Sequence, residues 1–198
     1  VLSAVIFDLD GTLTTTPSPW RHIHERLGVW ESHASVYFDE WLSGKLTYDE
    51  FCRRDTSLWN GRSLPEIEGY LDEIEVNRYA PTVIQTLVAR GVPSIIISSG
   101  FRYVARKIQA QWNWAPLLIY ANELVAGPEV RIHVSADPAS PISKKAHADA
   151  ALRLVGADAG GALVVSDALR DLEQLGHCGF HLHIQKEDDL ARTLQYLD

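Results

Sequence analysis

The sequence predicts an α/β fold with a mainly parallel sheet, helices on both faces, and a helical unit inserted after the first strand. Three short apolar runs, Leu2–Leu9, Val92–Ser99 and Gly161–Ser166, are rich in β-branched residues, and each releases small or acidic residues at its end. Helical patterns alternate with these runs, and such alternation means parallel strands covered on both faces. From Pro17 to Asn77 the apolar spacing is helical throughout.

Taken in order, the first run, LSAVIFDL, reads as a buried strand that ends in a turn at Asp10-Gly11. The insert follows, with apolar residues at Trp20, Ile23 and Leu27, then from Trp30 to Leu42, then from Tyr48 to Trp59. Pro17 and Pro19 on the way in and Pro81 on the way back suit hinge-like connections. The expected division is therefore a core of residues 1–16 and 78–198 and a cap of residues 17–77. In the core, a helix over Pro81–Arg90 stops at Gly91, and VPSIIISS forms the second strand. A helix over Tyr103–Trp114 comes next. Leu117–Val134, interrupted by Ala126-Gly127-Pro128, suggests strands or a hairpin flap. A helix over Lys145–Val155 stops at Gly156, GALVVS forms the third strand, and His181 and His183 line one face of a further strand.

At 198 residues the chain holds one full core, or a core plus a small insert, and its 46% hydrophobic and 22% charged content is that of a globular protein. A formal charge of −8 opposes binding to nucleic acid. No apolar stretch reaches the ~20 residues that span a bilayer, so no membrane partner is expected, and a cytoplasmic location is. Cys52 and Cys178 read as reduced, partly buried thiols. The oligomeric state is left open.

The chemistry starts at Asp8 and Asp10, two carboxylates that would project together from a strand end. Such a pair persists when a cation binds between its members or when one carries a catalytic proton; the plainer alternative is a pair of acids capping a turn. FDLDGTLT, from Phe7 to Thr14, resembles the first signature motif of the haloacid dehalogenase superfamily of phosphatases. The resemblance implies a Rossmann-like core. It also implies that Asp8 attacks phosphorus to form an aspartyl-phosphate while Asp10 protonates the leaving oxygen and later activates water. Thr12 is similar to the family residue that stabilises the turn.

IIISSGF resembles VVSGGF of the phosphoserine phosphatase branch, which makes Ser98, Ser99 and Gly100 the expected phosphate-binding segment. Lys144 or Lys145 would offset charge on the phosphoryl group. The resembling family helices carry apolar residues three, four, seven and eight positions after the Lys; counting from Lys144 gives His147, Ala148, Ala151 and Leu152, whereas counting from Lys145 puts Asp149 in the core, so Lys144 is favoured. VVSDALRDLE is similar to VGDGANDL of the same branch, with Ser166, Ala168 and Arg170 as departures. By resemblance Asp167 binds Mg²⁺ with the Asp8 carboxylate and the Asp10 carbonyl, and Asp171 holds a metal-bound water. All-oxygen donors of this kind select a hard cation over zinc.

The insert is similar to the small four-helix cap of that branch, and GKLTYDEFCRRDTSLW aligns with its central segment. On that alignment the family Arg that grips the substrate carboxylate falls at Asp55, and the Glu that receives its amine falls at Pro17. Of Trp20, Trp30, Trp41 and Trp59, most are expected in the cap core; one or two closing over the site would favour a more apolar or aromatic leaving group. The leading expectation is a Mg²⁺-dependent phosphatase for a small phosphorylated metabolite. The alternatives are a true phosphoserine phosphatase and a non-catalytic binding module that keeps the fold.

Overall fold

The computed structural model describes residues 2–116, 118–127, 129–133 and 144–197. Its strands are β1 (Ala4–Phe7), β2 (Ser94–Phe101), β3 (Leu118–Val125), β4 (Arg131–His133), β5 (Ala162–Ser166) and β6 (Phe180–His183). They form one sheet in the order β4-β3-β2-β1-β5-β6. β1 is central and runs parallel to both β2 and β5, with Val5 opposite Ser94 on one side and Leu163 on the other.

Both faces of the sheet are buried, which is why its strands read as continuous apolar runs. Val5, Phe7, Ile96, Leu163 and Val165 point to one side, where they pack with α5 (Ala80–Arg90) and α6 (Arg102–Trp112). Ala4, Ile6, Ile95, Ile97 and Val164 point to the other, against Ala148, Ala151 and Leu152 of α7 (Lys144–Val155). Gly91 ends α5 with a left-handed φ of 64°. Asn113, at φ 48°, ends α6 one residue short of Trp114, whose buried indole instead donates to Ser94 Oγ at 3.0 Å.

Of the two readings of Leu117–Val134, strands or a hairpin flap, the structure has strands. β3 and β4 do pair antiparallel, but β3 also runs parallel to β2 and so extends the main sheet. The apolar β2 edge would otherwise stay open, and a paired edge is the stable solution. Leu117, Pro128 and Val134 lie outside the described residues.

The insert contains α1 (Pro19–Arg26), a π-helical turn (Trp30–Ala34), α2 (Ser35–Leu42), α3 (Tyr48–Ser57) and α4 (Leu64–Asp72). Capping boxes at Thr47/Glu50 and Ser63/Glu66 start α3 and α4. The chain enters and leaves the insert side by side: Asn77 N donates to Leu13 O at 2.9 Å and Thr15 N to Glu75 O at 3.0 Å. After β5 come the short α8 (Leu169–Gln174), β6, and a 3₁₀ stretch at Glu187–Leu197 that no sequence signal marked. Both cysteines are free and buried. Among the described residues no helix is long and apolar enough to cross a membrane.

Candidate active site

The carboxyl ends of β1, β2 and β5 meet at the middle of the sheet, where open α/β folds bind ligands. Asp8 and Asp10 follow β1, Ser98 to Gly100 lie near the end of β2, and Asp167 follows β5. Lys144 opens α7 and Asp171 sits in the first turn of α8. Lys144 Nζ lies 2.5 Å from Asp8 Oδ1 and 2.5 Å from Asp171 Oδ2, and so bridges two carboxylates. Gln174 Oε1 accepts from the Lys144 backbone N at 3.1 Å, which fixes the start of the helix.

Three hydroxyls orient the acids. Ser98 Oγ donates to Asp10 Oδ2 at 2.7 Å while accepting from Gly100 N at 2.8 Å. Ser166 Oγ donates to Asp171 Oδ2 at 2.9 Å and accepts from Ala168 N at 3.1 Å. Thr12 Oγ1 accepts from Asp167 N at 3.0 Å and ties the β1 turn to the β5 turn. Two glycines are required by proximity. A Cβ on Gly100 would stand 2.1 Å from Asp10 Oδ2, and one on Gly11, already at φ 74°, would stand 2.3 Å from Asp167 Oδ2.

Four carboxyls share one buried ammonium, and the electrostatics show the imbalance. Burial pushes the Asp8 carboxyl up to about 8, although Lys144 pulls the other way. Burial likewise raises Asp10 to about 7 against the opposing Ser98 hydrogen bond. Asp167 is raised too, chiefly by burial. Burial alone would lower Lys144, but Asp8 and Asp171 outweigh it and hold the ammonium above the usual lysine range. Asp10 Oδ1 is buried with no hydrogen-bond partner. Unspent negative charge and an unpaired buried oxygen fit a hard cation.

The structure thus brings Asp8, Asp10, Ser98, Lys144, Asp167 and Asp171 together. It separates the two lysines: Lys145 is exposed and pairs with Asp149 at 3.0 Å. Asp171 is engaged with Lys144, and the Ser98 hydroxyl with Asp10. Ser99 is exposed, and its carbonyl accepts from Trp20 Nε1 at 3.1 Å and Asn122 Nδ2 at 2.9 Å. Sequence reasoning missed Ser166, Gln174 and Asn122 as positioning groups. Ser166 had carried a signal, as a departure from the resembling motif.

Beside this cluster a cavity of about 270 Å³ lies between the insert and the core, walled by aromatic rings with Asp55, Ser99 and Arg170 among its lining. Pro17 lines it and also the neighbouring cavity that reaches Gly11 and Asp167.

The model of the haloacid dehalogenase-like hydrolase family matches residues 5–175. No curated protein matches the chain. Among solved structures, a substrate-bound phosphoserine phosphatase complex is 19% identical, with 96% of this chain and 91% of that one covered at a TM-score of 0.69. A phospho-aspartyl intermediate analogue of phosphoserine phosphatase is 21% identical, with 96% and 89% covered at 0.69. A phosphoserine phosphohydrolase-like protein from Francisella tularensis is 14% identical, with 98% and 92% covered at 0.69. At these identities the likeness is one of fold.

Proposed function

The chain belongs to the haloacid dehalogenase-like hydrolase family, and from that premise we propose that it is a magnesium-dependent phosphomonoesterase working through an aspartyl-phosphate on Asp8. The supporting observation is the 2.5 Å pairing of Asp8 with the buried Lys144, beside an Asp10 carboxyl held near neutrality at about 7. In this reading residues 1–16 and 78–198 carry the chemistry and residues 17–77 cover it.

An Asp8 oxygen attacks phosphorus, the bond to the ester oxygen breaks, and Asp10 gives its proton to the departing oxygen. Water then surrenders a proton to the Asp10 carboxylate as its oxygen attacks phosphorus. The phosphorus–Asp8 bond breaks, inorganic phosphate leaves, and both acids return to their starting state. A carboxyl poised near 7 serves as acid and as base at neutral pH. Lys144 offsets negative charge on the phosphoryl oxygens.

Asp8, Asp167 and the Asp10 carbonyl would hold the Mg²⁺, with water completing the shell. The ion would supply the positive charge that keeps Asp8 ionised and stabilises the transferring group. Mg²⁺-dependent hydrolysis of p-nitrophenyl phosphate by the purified protein tests the reading, with EDTA and Asp8→Asn as controls. Turnover should vanish in both. Full turnover by Asp8→Asn would refute the mechanism.

A further inference from the structure

The cavity beside the acid cluster is built from an unusual pair of components. Six aromatic residues from the insert wall it: Trp20, Trp30, Phe38, Trp41, Tyr48 and Phe51. Their rings pack on one another, with Trp41 stacked on Phe51 at 5.1 Å and Trp20 at 5.7 Å from Phe51. Set into it is one carboxyl, Asp55, which is 2% exposed. Asp55 Oδ1 has no hydrogen-bond partner, and the nearest cationic candidate, His24 Nδ1, is 3.8 Å from Oδ2. Burial pushes that imidazole down to about 4, so it is neutral and gives Asp55 no counter-ion.

A buried carboxyl without a partner is costly, and aromatic faces attract cations. We propose that this cavity holds the leaving group of the substrate as a methylated ammonium, with the aromatic rings as its cage and Asp55 as its counter-ion. The proposal rests on the phosphatase reading for the reaction, although the cage itself does not. Burial now raises Asp55 to about 8, and a cation alongside it would restore the ionised form.

The other acceptors in the wall decide for a methylated ammonium over a primary one. The Ser99 carbonyl already takes two donors, Trp20 Nε1 and Asn122 Nδ2. The Tyr48 hydroxyl accepts from Asn122 at 2.9 Å, and Ser18 Oγ accepts from Arg21 N at 3.2 Å. A primary ammonium brings three donors, and beyond Asp55 it would find only the one lone pair left on each of the Tyr48 and Ser18 hydroxyls. Methyl groups need no acceptor and fill the apolar wall. The volume, below the ~300–1,000 Å³ of drug-sized sites, suits a headgroup of a few heavy atoms. Arg170 comes from the core and Asp55 from the insert, so the lining carries both signs of charge, as a zwitterionic phosphate ester requires.

The test compares phosphocholine with its neutral isostere, in which a tert-butyl group replaces trimethylammonium, and with phosphoethanolamine and L-phosphoserine. Choline alone is titrated in parallel by tryptophan fluorescence, which reads the cage without catalysis. The expected kcat/KM for phosphocholine exceeds that for the isostere by at least about tenfold. Asp55→Asn should lower that ratio severalfold while the intact rings keep it above one, and Trp41→Leu should weaken choline binding. Equal use of ester and isostere, or a clear preference for L-phosphoserine or phosphoethanolamine, would overturn the proposal. If no phosphate ester is hydrolysed, including p-nitrophenyl phosphate, the phosphatase reading fails by itself; saturable choline binding lost in Asp55→Asn would still support the cage, and no binding would overturn it.

Discussion

Replacing Asp55 by Asn should stabilise the protein, and the gain should grow with pH. Asp55 is raised from its ordinary 3.8 to about 8 by burial. A carboxyl whose folded pKa lies above its unfolded value contributes stability that is fully present below about 4 and is lost as pH rises through the folded value of about 8. At pH 7 the unfolded chain carries Asp55 ionised while the folded chain must protonate it. At ~1.4 kcal/mol per pH unit this costs about 4 kcal/mol. Asn keeps the shape but has no charge to neutralise, so Asp55→Asn should match the wild type within ~1 kcal/mol at pH 4. It should exceed the wild type by about 4 kcal/mol at pH 7 and level off above pH 8. Urea unfolding followed by tryptophan fluorescence at pH 4, 6, 7 and 8.5 reads the difference directly, and contributions common to both proteins, from the active-site acids, cancel. A difference that stays flat across this range would show that Asp55 is ionised in the folded protein, which would refute the burial argument.

Three further outcomes follow from the site geometry. Gly100→Ala should lower kcat for p-nitrophenyl phosphate by about 100-fold or more, because a Cβ 2.1 Å from Asp10 Oδ2 must displace the acid and small displacements of reacting groups cost that much. Thr12→Val removes the acceptor for Asp167 N and should cost about 1–3 kcal/mol of stability by urea unfolding, while raising the Mg²⁺ concentration needed for half-maximal activity. Lys144→Met leaves Asp8 and Asp171 uncompensated and should destabilise by about 3–5 kcal/mol at pH 8. It should cost less below pH 5, where the carboxyls can protonate, while Lys145→Met changes neither stability nor turnover by more than a trivial amount.

The strands were legible because both sheet faces are buried, which leaves unbroken runs such as Val-Ile-Phe and Ile-Ile-Ile with acids or serines released at their ends. Helix ends were legible where Gly91 stopped α5, and a residue or two wrong where Asn113, adopting a left-handed turn, stopped α6 early. The choice between Lys144 and Lys145 was legible too, since three core residues of α7 fix which lysine faces inward. The β3 strand was legible, but its pairing with β2 was not, because the pairing of strands across a sheet leaves no local mark. The hydrogen bond from Asp167 N to Thr12 was out of reach because it links the turns after two different strands, whereas that from Ser166 to Asp171 is local and was missed because its residue differs from the resembling motif.

Asp55 shows what sequence alone could and could not say. Its place in α3 was visible, and so was its mismatch with the resembling cap, but a lone acid at helical spacing reads as a solvated residue. Only the packed insert shows it walled in by rings and denied a partner. Folding supplies no reason to keep it there, because a neutral isostere would spare the protein about 4 kcal/mol at pH 7. Side chains that cost stability persist where function uses them, and a carboxyl among aromatic faces has one efficient use, which is to hold a cation. The same reasoning links the insert to the core: Ser99 of β2 and Arg170 of α8 line the same cavity as Asp55, so the pocket is shared between the insert and the elements at the strand ends that carry the acids.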